Sequence, residues 1–388
     1  MSSSHLSVPR SLTGKLIGLA AVGGAVLVAS VLFSPDRVWA NLLLASYYLI
    51  TVGLGGAVFI ALTTVCGAGW SVAIRRVPEA MVGLLPVASV AVLAVLATRI
   101  SDYAWHHHGH GDAGTFWFKE LWLEPKFFAA RAVGFVVLWT VFSQILIGRS
   151  RRLDNSPGGS KAGVSRPVAV VFLVMFATTI SLAGADWIMA LEPMWFSTMW
   201  GVYQFSGLIM ATLAVMIVAC VLLRRHAAMH DVIRVDHLHD LAKLLIGFSC
   251  FWMYIWFSQY MLIWYSNIPE ETSYFVRRTH GPWGPVMIGN IVLNWVIPFF
   301  VLLPRPCKRS EHVLLRIACV VLIGRWVDLY VMIFPPLTGD MPVFGVPEVA
   351  TAALLCGLAP LLFLRSFASR NPVPRNDPYL AESLHYHA

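Results

Sequence analysis

Charge is what this sequence has least of. Only 12% of its 388 residues are Asp, Glu, Lys or Arg, about half the roughly 25% of a soluble domain. With 58% hydrophobic residues and a mean hydropathy of +0.71, the chain falls outside the soluble class. Its apolar runs lack the alternation of a membrane barrel, so strands are not expected. Cysteine is sparse and has no paired spacing. Cys66, Cys220, Cys250, Cys307, Cys319 and Cys356 are scattered in or near apolar runs, which argues against a disulfide framework, a metal site or an iron–sulfur cluster. Histidine is missing from the depths of those runs. His5, His226, His230, His237, His239, His280, His385 and His387 read as loop or tail residues and His312 as a helix start, while the rest fall in one long loop. A membrane haem held by two histidines needs them deep in facing helices. The expectation is therefore that this chain binds no haem, no metal and no other cofactor of its own.

What is present is a series of apolar stretches at 15–33, 38–68, 78–96, 124–148, 167–191, 197–223, 241–265, 285–304, 313–334 and 346–364. A bilayer crossing takes about 20 residues, so the fold class is an all-α integral membrane protein of about ten transmembrane helices. The first stretch is longer than the apolar core of a signal peptide, typically about 7–15 residues, and reads as a retained helix although 38–40 resembles a cleavage site. With both termini on the cytoplasmic side, 20 of the 28 basic residues fall on inner segments and helix ends. Seven (Arg37, Arg99, Lys119, Lys126, Arg131, Arg277 and Arg278) fall on outer ones, and Arg325 lies within the membrane. That asymmetry follows the positive-inside rule. The net charge of +8 is then topology, and the expected partner is the lipid bilayer of a bacterial inner membrane, not nucleic acid.

Residues 1–369 form one polytopic domain, and 370–388 form a polar tail that reads as an extended arm able to lie on a neighbouring subunit. The inner loop 149–166 contains Asn-Ser-Pro-Gly-Gly-Ser at 155–160, a flexible composition, and is a seam between helix bundles. The longest outer loop carries a His-rich run at 105–112, a weak metal signal outweighed by a solvated loop or subunit contact. Trp117, Trp122, Trp195, Trp200 and Trp264 crowd the outer helix ends, as interfacial belts do.

Ionisable groups at membrane depth are expensive, about 2.5–3.5 kcal/mol each on insertion scales, and so mark candidate sites. Arg325 and Asp328 are spaced to pair on one helix face. Asp186 lies near the outer end of its helix, followed by Glu192. Arg131 lies a few turns into a helix from the outer side, and Glu348 starts the last helix. Tyr47, Tyr48, Tyr203, Gln204, Gln259 and Tyr260 lie at similar depths. The inner half is poorer, with neutral Gln144 and midplane Asn294 and no carboxylate below them. The pattern reads as a polar pocket or half-channel open to the outer side. Asp186, Arg325, Asp328, Arg131, Glu192, Glu348, Tyr260 and Gln259 are its proton-path candidates; structural ion pairs that pin helices together are the alternative given more weight, and a direct quinone contact the one given least. No catalytic residue is assigned.

Two segments run from membrane depth into an acid beside a proline: Asp186-Trp187-Ile188-Met189-Ala190-Leu191-Glu192-Pro193 and the stretch 258–271 that ends Ile268-Pro269-Glu270-Glu271. With Trp195-Phe196-Ser197-Thr198-Met199-Trp200-Gly201-Val202-Tyr203, they resemble the F subunits of alternative complex III, within the NrfD/polysulfide-reductase-type membrane anchors. The resemblance covers nearly the whole chain, except that the His-rich outer loop departs from it. It implies ten helices, the central eight in two four-helix bundles. It further implies a complex that oxidises menaquinol or ubiquinol and passes electrons through iron–sulfur clusters and haem c to a periplasmic acceptor. The implied partners are an NrfD-like C subunit beside the quinol site, an iron–sulfur subunit and haem c subunits. The F subunit itself is implied as a proton path. The function expected is thus a non-haem membrane subunit of a quinol:cytochrome c-type oxidoreductase, enzymatic only within its complex. The alternatives are a purely structural anchor for the redox subunits and, behind it, a secondary transporter, which would call for inverted repeats and broken midplane helices.

Overall fold

The computed structural model describes residues 9–100, 121–122, 124–154, 165–192, 195–227, 229–374 and 376–387. The His-rich run, Trp117 and the flexible segment 155–160 lie outside these residues. Among those described, every regular element is a helix and there is no strand. The long helices are α1 (Arg10–Ser30), α2 (Pro35–Val65), α3 (Arg76–Thr98), α4 (Pro125–Asp154), α5 (Arg166–Trp187), α6 (Trp200–His226) and α7 (Val235–Ser266). After the short α8 (Pro269–Thr279) come α9 (Trp283–Leu302), α10 (Glu311–Ile333) and α11 (Val346–Ala368), and then a last turn, α12 (Leu380–Leu384). Nine of the described helices are long and apolar enough to cross a membrane. The 23-residue α10, which carries Arg316, Arg325 and Asp328, is not among the nine.

Ion pairs between helix ends set the arrangement. The start of α3 meets the end of α4 through Arg76 and Asp154, and the start of α4 meets the end of α5 through Arg131 and Asp186. The end of α6 meets the start of α10 through Arg224 and Glu311 at 2.7 Å. Neighbouring helices therefore run in opposite directions. The outermost pair is α1 and α11, which pack antiparallel: Gly23 faces Ala350 and Leu354, and Gly357 faces Leu16 and Ala20. A Cβ on Gly23 would sit 2.6 Å from the Leu354 backbone nitrogen, and one on Gly357 would sit 2.5 Å from that of Ala20. Small residues let two backbones approach this closely, the main source of helix association where lipid removes the hydrophobic drive. Both chain ends consequently lie at one end of the bundle, called here the termini face, opposite the far face.

Prolines shape the helices locally. Pro298 has no N–H, so the carbonyl of Asn294, four residues earlier, loses its helical donor. The ladder widens into a π-helical stretch at Val292–Val296, and the freed carbonyl accepts from Ser249 Oγ at 2.6 Å. The sequence expectation of one uniform helix at 285–304 missed this feature. Pro269 was read only as a stop. Asn267, in the left-handed region at φ 50°, closes α7, and Pro269 then opens the amphipathic α8 at its first turn.

Three further expectations change. His237 and His239, read as loop residues, are buried in the first turn of α7. His237 Nδ1 accepts from the Arg234 N–H at 2.9 Å, which leaves its Nε2–H to donate to Ser383 O at 3.1 Å. The tail does not extend away. Asp377 pairs with Arg75, Ser383 Oγ donates to Trp70 O and accepts from Ala73 N–H at 2.9 Å, and Tyr386 donates to Asp240 at 2.6 Å. It folds back onto the termini face, where the 3-10 turn Gly69–Ile74 with its C-cap Arg75 and the start of α7 supply these partners. Finally, the half of the bundle nearer the termini face, expected to hold no carboxylate, contains Glu79, 1% exposed and bonded to Arg76 at 2.5 Å. Glu79 is one turn on from Arg76 in α3, which places the two on one helix face.

Candidate functional site

The bundle's most buried polar cluster is built by five helices around Arg325 and Asp328, each 1% exposed. One turn apart on α10, they bond at 2.5 Å through Arg325 Nη1 and Asp328 Oδ2. Asp328 lies near the far-face end of α10, and Arg325 about 12 Å in from it at 1.5 Å per residue. Tyr203 of α6 donates to Asp328 Oδ1 at 2.5 Å, Asn290 of α9 donates to the same oxygen at 3.1 Å, and Trp252 of α7 donates to Oδ2 at 3.4 Å. The carboxylate thus accepts four hydrogen bonds, which substitute for lost water.

The guanidinium is held in turn. Arg325 Nη2 donates to Gln204 Oε1 at 3.1 Å, and that oxygen also accepts from Tyr47 Oη of α2 at 3.3 Å. Gln204 Nε2 lies 3.1 Å from Met332 Sδ. Asn294 Nδ2 donates to Asn290 Oδ1 at 2.7 Å, so the π-helical turn orients the amide that Asn290 passes to Asp328. Arg325 Nε has no partner among the described residues. Chemically, the cluster is a carboxylate with a phenol hydroxyl at bonding distance, extended on both sides by amides and a second phenol, Tyr47.

Asp186 belongs to a separate pair. Its Oδ2 accepts from Arg131 Nε and its Oδ1 from Trp122 Nε1, both at 2.9 Å, while the Arg131 guanidinium also lies 4.0 Å from the Trp122 ring centre. Asp186 thus has its own arginine, separate from the ion pair of Arg325 and Asp328. Between the two sets lie aromatic contacts: Trp187 meets Tyr47 edge-on at 6.4 Å, and Trp200 Nε1 donates to Gly184 O at 2.9 Å.

Glu192 pairs with Arg278 of α8 at 2.5 Å. Arg278 is fully buried. It also donates to the carbonyls of Val331, Tyr274 and Met332, and its charge sits 3.6 Å from the Tyr274 ring centre. Tyr274 stacks on Trp195 at 4.0 Å, and Trp195 Nε1 donates to Glu271 O at 3.2 Å. Burial pushes the Tyr274 hydroxyl pKa upward. The stretch 195–203 therefore seats on the end of the 258–271 segment and on α8, through Trp195, Glu271 and Tyr274. Sequence reasoning missed both Arg278 and Tyr274, although the spacing of Tyr274 and Arg278 on one helix face was available.

Glu348 is fully buried and does two structural jobs. Its Oε2 accepts from Gly345 N–H at 2.7 Å, capping α11, and from Arg37 Nη2 at 2.6 Å, while Oε1 accepts from Asn41 Nδ2 at 3.0 Å. Tyr260 acts as an aromatic, stacked on Trp256 at 5.5 Å and edge-on to Phe275 at 5.3 Å. Gln259 is buried, and its Nε2 finds no partner among the described residues. No group of three or more His, Cys, Asp or Glu suited to a metal occurs among the described residues.

No protein-family profile matches this chain, and no curated protein is similar to it at a significant level.

Proposed function

We propose that this chain is a non-haem subunit of a quinol:cytochrome c-type oxidoreductase of the alternative complex III kind, and that the cluster around Arg325 and Asp328 takes part in coupled proton movement. On this reading α10 is a tenth span, both termini are cytoplasmic, and the membrane is a bacterial inner membrane. Quinol, iron–sulfur clusters and haem c belong to neighbouring subunits. The observation that carries the reading is Asp328, a buried carboxylate 2.5 Å from a phenol hydroxyl and bonded to a guanidinium. A change of charge in a neighbouring redox subunit drives the transfer, and Tyr203 can pass a proton at the distance observed. The sequence resemblance supplies the type of complex.

Two measurements test this reading. Isolating the native chain in mild detergent, with absorbance spectra and mass spectrometry, should bring haem c and iron–sulfur subunits with it. A colourless chain without partners overturns the complex. In the isolated complex, Asp328→Asn should keep quinol oxidation but lose proton translocation. Translocation at the wild-type level favours the structural-anchor reading, whose own support is that Asp186, Glu192 and Glu348 each tie two helices through an arginine.

A further inference from the structure

Among the described residues, the far-face ion pairs match acid to base one for one, but those of the termini face do not. There the start of α3, the end of α4 and the residue two places beyond α11 bring Arg76, Arg151 and Arg370 around Glu79. Glu79 Oε2 accepts from Arg76 Nη1 at 2.5 Å, and Oε1 accepts from Ser150 Oγ at 2.5 Å. Arg76 is also bonded to Asp154. Arg370 Nη1 stands 4.0 Å from Glu79 Oε2, beyond hydrogen-bonding reach. Among the described residues, three guanidinium groups thus face two carboxylates. Arg76 Nε, Arg151 Nε and Arg370 Nη1 are buried and have no hydrogen-bond partner among the described residues, and Arg76 itself is 3% exposed.

A buried donor left without an acceptor is costly, and here three unfilled guanidinium donors on three different elements lie in one place. The crowding shows in Arg370, whose pKa is brought down to about 10 by burial and then by the neighbouring Arg151 charge. The missing component is an anion with several acceptor oxygens. The site sits where three elements end at one face of an apolar bundle, the level at which a bilayer places its phosphates.

We infer that Arg76, Arg151 and Arg370 form a binding site for the phosphate group of an anionic phospholipid. The phosphate oxygens accept from the free Arg151 and Arg370 donors, and the lipid tails lie along the apolar flank of the bundle. Glu79 sets the selectivity: by occupying one side of Arg76 it leaves room for a monoanionic phosphodiester and disfavours a more highly charged group. Lipid binding would also fasten the base of α11, where the tail begins, to α4.

The test uses the whole chain reconstituted in phosphatidylcholine, with phosphatidylglycerol or inorganic phosphate added separately, and follows melting temperature together with native mass spectrometry. Phosphatidylglycerol should raise the melting temperature of the wild type and remain as one retained adduct. Charge-assisted hydrogen bonds are worth enough that Arg370→Gln and Arg151→Gln should each weaken retention by about tenfold or more. In phosphatidylcholine alone Arg370→Gln should melt no lower than wild type, because it removes crowding and no hydrogen bond. Arg151→Gln, on a different element, serves as the second probe. A melting shift with inorganic phosphate equal to that with phosphatidylglycerol keeps the phosphate site and assigns it to the free ion. Equal responses to phosphatidylcholine and phosphatidylglycerol, or variants that retain the anionic lipid as wild type does, overturn the proposal. Neither result depends on proton movement.

Discussion

The guanidinium of Arg325 occupies the space that a side chain on Gly207 would fill. A Cβ at Gly207 would lie 2.3 Å from Arg325 Nη1, the nitrogen that bonds Asp328. The close passage of α6 over α10 and the existence of the ion pair are therefore one structural fact.

Gly207→Ala should push the guanidinium off Asp328. Overpacking of this kind typically costs about 1–3 kcal/mol, readable as a lower melting temperature of the purified chain. If the cluster moves protons, translocation should fall further than stability alone explains. A variant with unchanged melting and translocation would show that the guanidinium has room to spare.

Breaking the pair and replacing it should differ. Asp328→Leu leaves a buried arginine unpaired and should cost about 3–5 kcal/mol, whereas Arg325→Met with Asp328→Leu should recover the part due to that charge. The remaining loss comes from the donors of Tyr203, Asn290 and Trp252 left without their acceptor. Melting curves of the two singles and the double give the coupling between them. The double variant also separates roles, because an ion pair that only pins helices is dispensable in it and one that moves protons is not.

Arg278→Lys should behave as a large change despite the kept charge. Lysine cannot reproduce the planar set of donors that reaches Glu192, Val331, Tyr274 and Met332. Loss of about 2–4 kcal/mol follows from orphaned buried acceptors, with faster proteolysis at α8 as the local readout.

The tail should come loose in strong alkali. The hydrogen bond to Asp240, together with burial and the Asp240 charge, raises the Tyr386 pKa from 10.0 to about 12. The neutral hydroxyl is the form the fold favours, so its contribution is fully present below pH 10 and is lost as pH rises through about 12. A fluorescence label on the tail should report release across that window, and Tyr386→Phe should remove this step.

Much of the frame was legible from pattern alone. Apolar runs of about 20 residues gave the helices, because a bilayer leaves the backbone no other way to satisfy its polar groups. Arg325 and Asp328 declared themselves by spacing, since i and i+3 share a helix face. Tyr203, Asn290 and Trp252 could not be assigned to Asp328, because each arrives from a helix more than 30 residues away and no local rule fixes which faces meet. The π-helical turn was within reach, as Pro298 strips a donor from Asn294, but the hydroxyl of Ser249 that makes it tolerable is again remote. Glu79 was hidden by its neighbours: a carboxylate among arginines near a helix end looks solvated until the tail covers it.

The pairing of α1 with α11 has a consequence for the order of events during synthesis. Helix α1 is made before α2 to α10, yet its main partner is α11, made after them. Until α11 arrives, α1 has its short link and a small apolar contact to α2 through Leu27 and Val38, and its glycine face is uncovered. Closing the α1–α11 pair is therefore a late, long-range step. A chain stalled before residue 346 would hold α2 to α10 packed together, with α1 still lacking its main partner.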